Sequence, residues 1–310
     1  MRSLGALLVA LVCVFGAADA QPAFEAVEAF YPEGAYWFEG KLYYAEMGAD
    51  RVSVLEAGAR RDFFVQRYCG PTAIAAYGQG FLVLCHLAGK VVEIDRAGQA
   101  VREWDADVRG NALRDPNDGF ADGHGGVFFS DPGRFSKDAP AEGYVMHLSA
   151  DGTLRRVAGP LWYPNGVYVA GSSLYVTEHM RGRVFRYAFE ADGRLSHRRV
   201  AYDIGDFELP QRYEEAYREI GPDGLEIGPD GDFYQAIYGA GLILRISPAG
   251  ELLGTISTPA RYVTNISFDD AGGAYVVGSF DNIHRPFPGE VRYFSPDSLT
   301  GAPQTPSSAP

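Results

Sequence analysis

The chain of 310 residues is short of positive charge. It has three lysines, Lys41, Lys90 and Lys137, and a formal net charge of −13. Nucleic-acid phosphates need a basic face, so this balance argues against a nucleic-acid partner. A long membrane-spanning run is also missing. The N-terminal apolar stretch, Leu4 to Ala18, is too short for a comfortable span. It follows Met1-Arg2-Ser3 and ends on Ala18-Asp19-Ala20, a small-x-small cleavage pattern. Residues 1–20 therefore read as a signal peptide, with a mature chain from near Gln21. The expected location is the bacterial periplasm or the secreted fraction, with no membrane span after processing. Cysteine is scarce: beyond Cys13 in the leader only Cys69 and Cys85 remain. These two either bridge, as an oxidising compartment allows, or stay as buried thiols. The six histidines show no zinc-ligand spacing, and no Gly-x-Ser-x-Gly elbow occurs, so zinc-protease and serine-hydrolase chemistry lack their motifs.

What the chain has in quantity is glycine (38) and tyrosine and phenylalanine (19 each), the composition of short aromatic strands with tight turns. A unit recurs from Ala23 onward: a polar turn, an apolar strand, a Gly/Asp turn, an aromatic strand, then a Gly-x-(Val or Leu) strand. The repeats start near Glu33, Thr72, Asn117, Asn165, Asp223 and Asn265. That spacing is the period of a propeller blade, and alternation within the strands fits half-buried antiparallel sheet. The fold expected is all-β, a six-bladed β-propeller over residues 21–298. Ring closure requires a blade built from both ends, with the strand near Ala23 to Phe30 joining the last unit. Residues 299–310, rich in Pro, Ser and Gly, read as a disordered tail. The helix-prone stretch Leu209 to Glu219, just ahead of Asp223, reads as a lid or as a surface helix. The sequence leaves assembly open between a monomer and an oligomer.

The turns carry hard-oxygen side chains in equivalent places: Glu33 after Pro32, Asn117 after Pro116, Asn165 after Pro164 and Asp223 after Pro222. In a propeller such turns converge on one end of the central channel. Carboxylate and amide oxygens suit Ca²⁺ and related ions. Thr72 and Asn265 fill the same slot in the other two units. The aromatics beside the motifs, Tyr31, Trp37, Trp162 and Tyr163, read as core residues or as apolar walls.

The ordered series Pro-Glu-Gly, Pro-Asn-Asp-Gly, Pro-Asn-Gly and Pro-Asp-Gly-Leu resembles the SMP-30/gluconolactonase/regucalcin family of lactonases, from Phe24 to about Pro296. Phe129-Ser130-Asp131-Pro132 is similar to the Ser/Thr-Asp-Pro that follows the third motif in gluconolactonase-like members. The resemblance implies a metal-dependent hydrolase that opens a small-molecule lactone. By it Glu33, Asn165 and Asp223 match metal ligands, and Asn117 matches a substrate-binding asparagine. Asp223 also matches the proton acceptor, and Asp131 a residue of the metal's surroundings. The implied ion is Ca²⁺, with Zn²⁺, Mn²⁺ or Mg²⁺ as alternatives. Regucalcin-like members place an arginine two residues before the Asn117 position; here that residue is Asp115, with Arg114 one further back. The competing readings are a non-catalytic calcium-binding propeller that binds a ligand or protein, and a strictosidine-synthase-like propeller.

Overall fold

The computed structural model describes residues 25–209 and 219–300. The expected signal peptide, most of the helix-prone 209–219 stretch and nearly all of the expected tail lie outside them. Six four-stranded antiparallel sheets form the six blades of a β-propeller. Blades one to five each run inner to outer in chain order. Their inner strands are Pro32–Phe38, Pro71–Tyr77, Gly119–Ala121, Pro164–Ala170 and Gly221–Ile227. Blade six starts from Tyr262–Phe268 and is completed at its outer edge by Ala26–Phe30. That N-terminal strand pairs with Pro288–Phe294, in register from Ala26 against Arg292 to Phe30 against Pro288. Closing the ring with strands from both ends ties the blades into one circle, as the repeat count required.

Alternation along each strand explains the core. In blade three, Phe129 packs toward blade two with Leu84 and Trp104, while its neighbour Phe128 packs toward blade four with Val176 and Phe185. In blade six, Val276 faces blade five and Val277 faces blade one. Both faces of a sheet are buried between its neighbours, so middle strands such as Gly80–Cys85 are apolar throughout. Each fully buried Phe or Leu contributes roughly 1.5–3 kcal/mol. Leu299, the first residue of the expected tail, is instead buried in the interface of blades five and six, within the short turn Pro296–Thr300. One apolar side chain with a place to pack anchors that end.

Cys69 and Cys85 form a disulfide, with Cα atoms 4.5 Å apart. It joins the entry of the inner strand of blade two to the end of the next strand, and both residues are fully buried. The bridge closes a loop of 16 residues. A Cys69→Ser/Cys85→Ser variant is expected to lose about 3 kcal/mol of unfolding free energy through the freed chain entropy of the unfolded state. Urea denaturation of the two proteins checks this. An unchanged midpoint would mean that the bridge stabilises nothing.

Candidate metal centre

The inner strands bring their first residues to one end of the ring. The motifs expected as turns ahead of strands are, in blades one, four and five, the opening residues of the strands themselves. Each contains a register break: between Glu33 and Tyr36, between Pro164 and Val167, and between Pro222 and Leu225. A bulge releases a residue from the ladder and re-aims its side chain, which is how a strand can present a ligand along the axis. In blade three, Asn117 and Asp118 stand just ahead of Gly119–Ala121, held by Asn117 N donating to Ser130 O at 2.9 Å. Glycine makes the close approach feasible. A Cβ on Gly166 would lie 2.2 Å from the Asp223 carbonyl oxygen, so blades four and five meet there backbone to backbone.

Glu33, Asn117, Asn165 and Asp223 are all buried. Burial, then the negative charges of Asp223 and Asp118, pushes the Glu33 carboxyl well above its usual range. Burial and the charge of Asp118 do the same to Asp223. Asp118, which the sequence reading passed over, is pushed up to about 7 by burial, against the bonds it accepts from the Val167 and Gly119 amides. Three carboxyls thus share one field, and ionising them together is costly without a cation. The signal for Asp118 was present as the acidic residue of Asn117-Asp118-Gly119, but only the fold shows that two consecutive side chains can both stay inside.

The donor set fits a hard cation. The Asn165 side-chain oxygen is buried and has no hydrogen-bond partner. Its amide nitrogen lies 3.4 Å from His179 Nδ1, and His179 Nε2 lies 2.8 Å from the Glu219 carbonyl oxygen. A neutral imidazole with its proton on Nε2 satisfies both contacts, and burial holds that ring neutral, with its pKa lowered to about 4. His179 therefore occupies the amide nitrogen and leaves the oxygen available. Two carboxylates with an unsatisfied amide oxygen form a hard-oxygen set of the kind Ca²⁺ or Mg²⁺ takes. Among the described residues no three His, Cys, Asp or Glu side chains gather as a metal cluster, so an ion here depends on the amide.

A repeated device sets the rim. Tyr31 and Tyr163 both adopt left-handed backbone, φ 47° and 57°, immediately before their prolines. In blade one, Glu46 accepts from the Phe30 amide and is held by Arg51. In blade four, Glu178 accepts from the Trp162 amide and is held by Arg183. Each carboxylate ends the second strand of its blade and clamps the chain just ahead of the strained tyrosine. Asp131 holds the corresponding place in blade three, accepting from the Arg114 and Asp115 amides at 3.0 and 2.8 Å. It orients the backbone that leads into Asn117. Burial, then the charges of Glu33 and Asp223, raises both phenols well above their normal range, so they stay protonated. Tyr163 also hydrogen-bonds Asn117.

Other residues stand differently from expectation. Thr264, rather than Asn265, is the blade-six counterpart of Thr72. The Thr72 and Thr264 hydroxyls donate to the carbonyls of Pro116 and Pro32, each in the next blade, at 3.0 and 2.8 Å. Asn265 sits one step deeper and bonds Asp118. His179 is buried, because the Phe135 and Tyr238 rings pack over it. His86 directs Nδ1 to the Asp115 carbonyl at 3.1 Å. Trp37 stacks on Tyr275 between blades one and six, away from the rim aromatics.

A family model described as the SMP-30/gluconolactonase/LRE-like region matches residues 31–279. The chain is 26% identical over 232 residues to lactonase drp35 of Staphylococcus haemolyticus, covering 72% of this chain and 65% of that protein. It is 26% identical over 223 residues to a gluconolactonase of Zymomonas mobilis, covering 64% of this chain and 60% of that protein. The chain thus spans less than two thirds of the length of these relatives. Among solved structures, a gluconolactonase from Xanthomonas campestris superposes with a TM-score of 0.67 at 24% identity, covering 86% of this chain and 87% of that one. A calcium-binding regucalcin from Agrobacterium tumefaciens gives a TM-score of 0.68 at 15% identity, covering 88% and 95%. At these identities the structures establish the propeller fold.

Proposed function

The chain belongs to the SMP-30/gluconolactonase/LRE-like family, and from that premise we propose that it is a divalent-metal-dependent lactonase. The observation that carries this reading is the partnerless Asn165 oxygen at the end of the ring where the charges of Asp223 and Asp118 raise the cost of ionising Glu33. Glu33, Asn165 and Asp223 would hold the ion, Ca²⁺ by the all-oxygen set. Bound there, the ion supplies Lewis-acid polarisation of the ester carbonyl and lowers the pKa of water. Asp223 accepts the proton of the attacking water at its carboxylate. Asn117, fixed by the Tyr163 phenol, faces the substrate. Asp131 and Glu178 keep the entering backbone in place. The substrate is a small-molecule lactone. Among the described residues no helix is long and apolar enough to cross a membrane. Export to the periplasm or medium is part of the same proposal, supported by the buried disulfide, which an oxidising compartment favours.

A lactone panel assayed with added Ca²⁺ and then with excess chelator tests the reading. Ring opening is expected to fall at least about a hundredfold in chelator and to return with Ca²⁺. Turnover indifferent to chelator would overturn metal dependence, and absence of turnover with every lactone would overturn the hydrolase.

A further inference from the structure

In a chain with a net charge of −13, arginine is usually engaged with a carboxylate. Arg51 holds Glu46, Arg183 holds Glu178, Arg245 holds Asp232 and Arg292 holds Glu290. Three arginines at the outer wall of the ring differ. Among the described residues Arg109 and Arg155 have no carboxylate in ion-pair contact, and the guanidinium groups of Arg109, Arg155 and Arg156 donate no hydrogen bond. All three line one cavity of about 600 Å³, which Glu33, Asn117, Asn165 and Asp223 do not border. Its walls are the outermost strand of blade three, Leu154–Leu161, and the link that leaves the outermost strand of blade two, Ala100–Trp104. Both walls are fixed. Asp107 Oδ1 accepts from the Arg109 and Asn111 amides at 2.8 and 3.0 Å, and Asn111 Nδ2 donates to Asp107 Oδ2 at 2.9 Å. Val108 N donates to the Leu154 carbonyl at 3.0 Å, which holds the link against the strand just ahead of Arg155. The strand breaks register opposite Val145 and Met146. That bulge lets consecutive side chains, Arg155 and Arg156, serve one cavity instead of opposite faces. Arg156 lies over the Tyr144 ring at 4.2 Å. Its Nε is buried and donates to nothing, with Asp107 Oδ2 3.5 Å away.

We propose that this cavity is a second ligand site, separate from the metal centre, and that it takes a small phosphomonoester. Three guanidinium groups against the one Asp107 carboxylate leave two positive charges around it. Asp151 also acts on Arg155, but its carboxylate is exposed and its Oδ1 is engaged with Ser149 and Thr153. Like charges placed together repel one another, and a bound anion relieves that. A phosphomonoester carries about −1.5 to −2 charge at pH 7 and three acceptor oxygens. It matches both the charge and the planar forks of arginine. A carboxylate or a sulfate ester, each singly charged, leaves part of the field uncompensated. The cavity falls within the roughly 300–1,000 Å³ of small-molecule sites, more than a bare phosphate ion fills. The rest of the molecule lies against Val108 and Asn111, an apolar and an amide surface that suit a hydroxylated carbon skeleton.

Calorimetric titration of the full chain with glucose 6-phosphate tests this, beside glucose 6-sulfate, inorganic phosphate and glucose. Wild type is expected to bind glucose 6-phosphate at least about tenfold more tightly than the sulfate ester or inorganic phosphate, and glucose not at all. Affinity is expected to be the same in Ca²⁺ and in chelator, since the cavity shares no residue with the proposed ion site. Arg109→Gln and Arg155→Gln are each expected to weaken binding about tenfold. Arg156→Lys keeps the charge, loses the fork and is expected to weaken it by a similar factor. Arg109 and Arg155 are exposed, so their variants are expected to unfold thermally as wild type does without ligand. Absence of saturable glucose 6-phosphate binding, equal affinity for the sulfate ester, or undiminished binding in both Arg→Gln variants overturns the proposal. Binding that requires Ca²⁺ puts the anion at the mouth and overturns it too. Sedimentation with phosphatidic acid vesicles, without binding of the sugar phosphate, overturns its assignment to a soluble ligand.

Discussion

Asp223→Asn is expected to reduce kcat/KM for lactone opening by about a thousandfold while making the metal-free protein more stable. The first effect follows from two losses at one carboxylate. A positioned general base contributes about 10²–10⁴ in rate, and the same group supplies one of only two charged donors to the ion. The second effect follows from the field. Asp223 is buried, and its charge adds to the burden on Glu33 and on the Tyr163 phenol. An amide of the same shape removes that repulsion, so the ligand set is held at a cost in stability, as functional sites often are. Glu33→Gln should behave alike in stability and lose Ca²⁺ affinity. Thermal unfolding with and without Ca²⁺, beside steady-state kinetics, measures both. Wild type should gain melting temperature with Ca²⁺, and both variants should lose most of that gain. Full retention of the Ca²⁺-induced shift in both variants would remove Glu33 and Asp223 from the ion site.

The metal-free protein is expected to lose stability as pH rises from about 4 to about 8. Asp118 and Glu226 are raised to about 7 and about 8, both chiefly by burial. They line the narrow passage where the six inner strands meet below the mouth, along with Tyr36, Phe120 and Asn265. The sign follows from proton counting. Each folded carboxyl keeps its proton in a range where the unfolded chain has released it. The folded state therefore binds more protons between the unfolded pKa, near 4, and the folded one. The contribution of these two groups is most favourable at the acid end of that window and falls through it. Each group is worth roughly 4 kcal/mol over the whole window at about 1.4 kcal/mol per pKa unit. Asp118→Asn and Glu226→Gln should each flatten the slope. Denaturant unfolding in chelator at pH 5, 6.5 and 8 measures it, and a flat or rising profile would contradict the buried-acid account.

The residues differ in how far they could be read without coordinates. Glu33, Asn165 and Asp223 were legible because each follows a proline at the same step of a repeat, and a repeat in sequence becomes a ring in space. The blade count and the closing strand Ala26–Phe30 followed from the same periodicity. Thr264 was not legible, because a bulge shifts which of two consecutive residues faces the axis; Asp118 was not, because only the fold shows it buried beside Asn117. Asp131, expected in the metal's surroundings, accepts from the Arg114 and Asp115 amides through Oδ1 and so orients the backbone that leads into Asn117. Tyr31 and Tyr163 carried two readings, core or wall. Their left-handed backbone, clamped by Glu46 and Glu178, decides for the rim.

The sequence alone determined the propeller and the chemical type of its ring of oxygens, because both depend on periodicity and side-chain chemistry, which are local and additive along the chain. Only the tertiary structure decided which oxygens are left unsatisfied, which carboxyls must share a field, and that Phe135 packs over His179. Those are consequences of burial and of contacts between blades. Residues as far apart in the chain as Tyr31 and Tyr238 become hydrogen-bonded neighbours only when the ring closes.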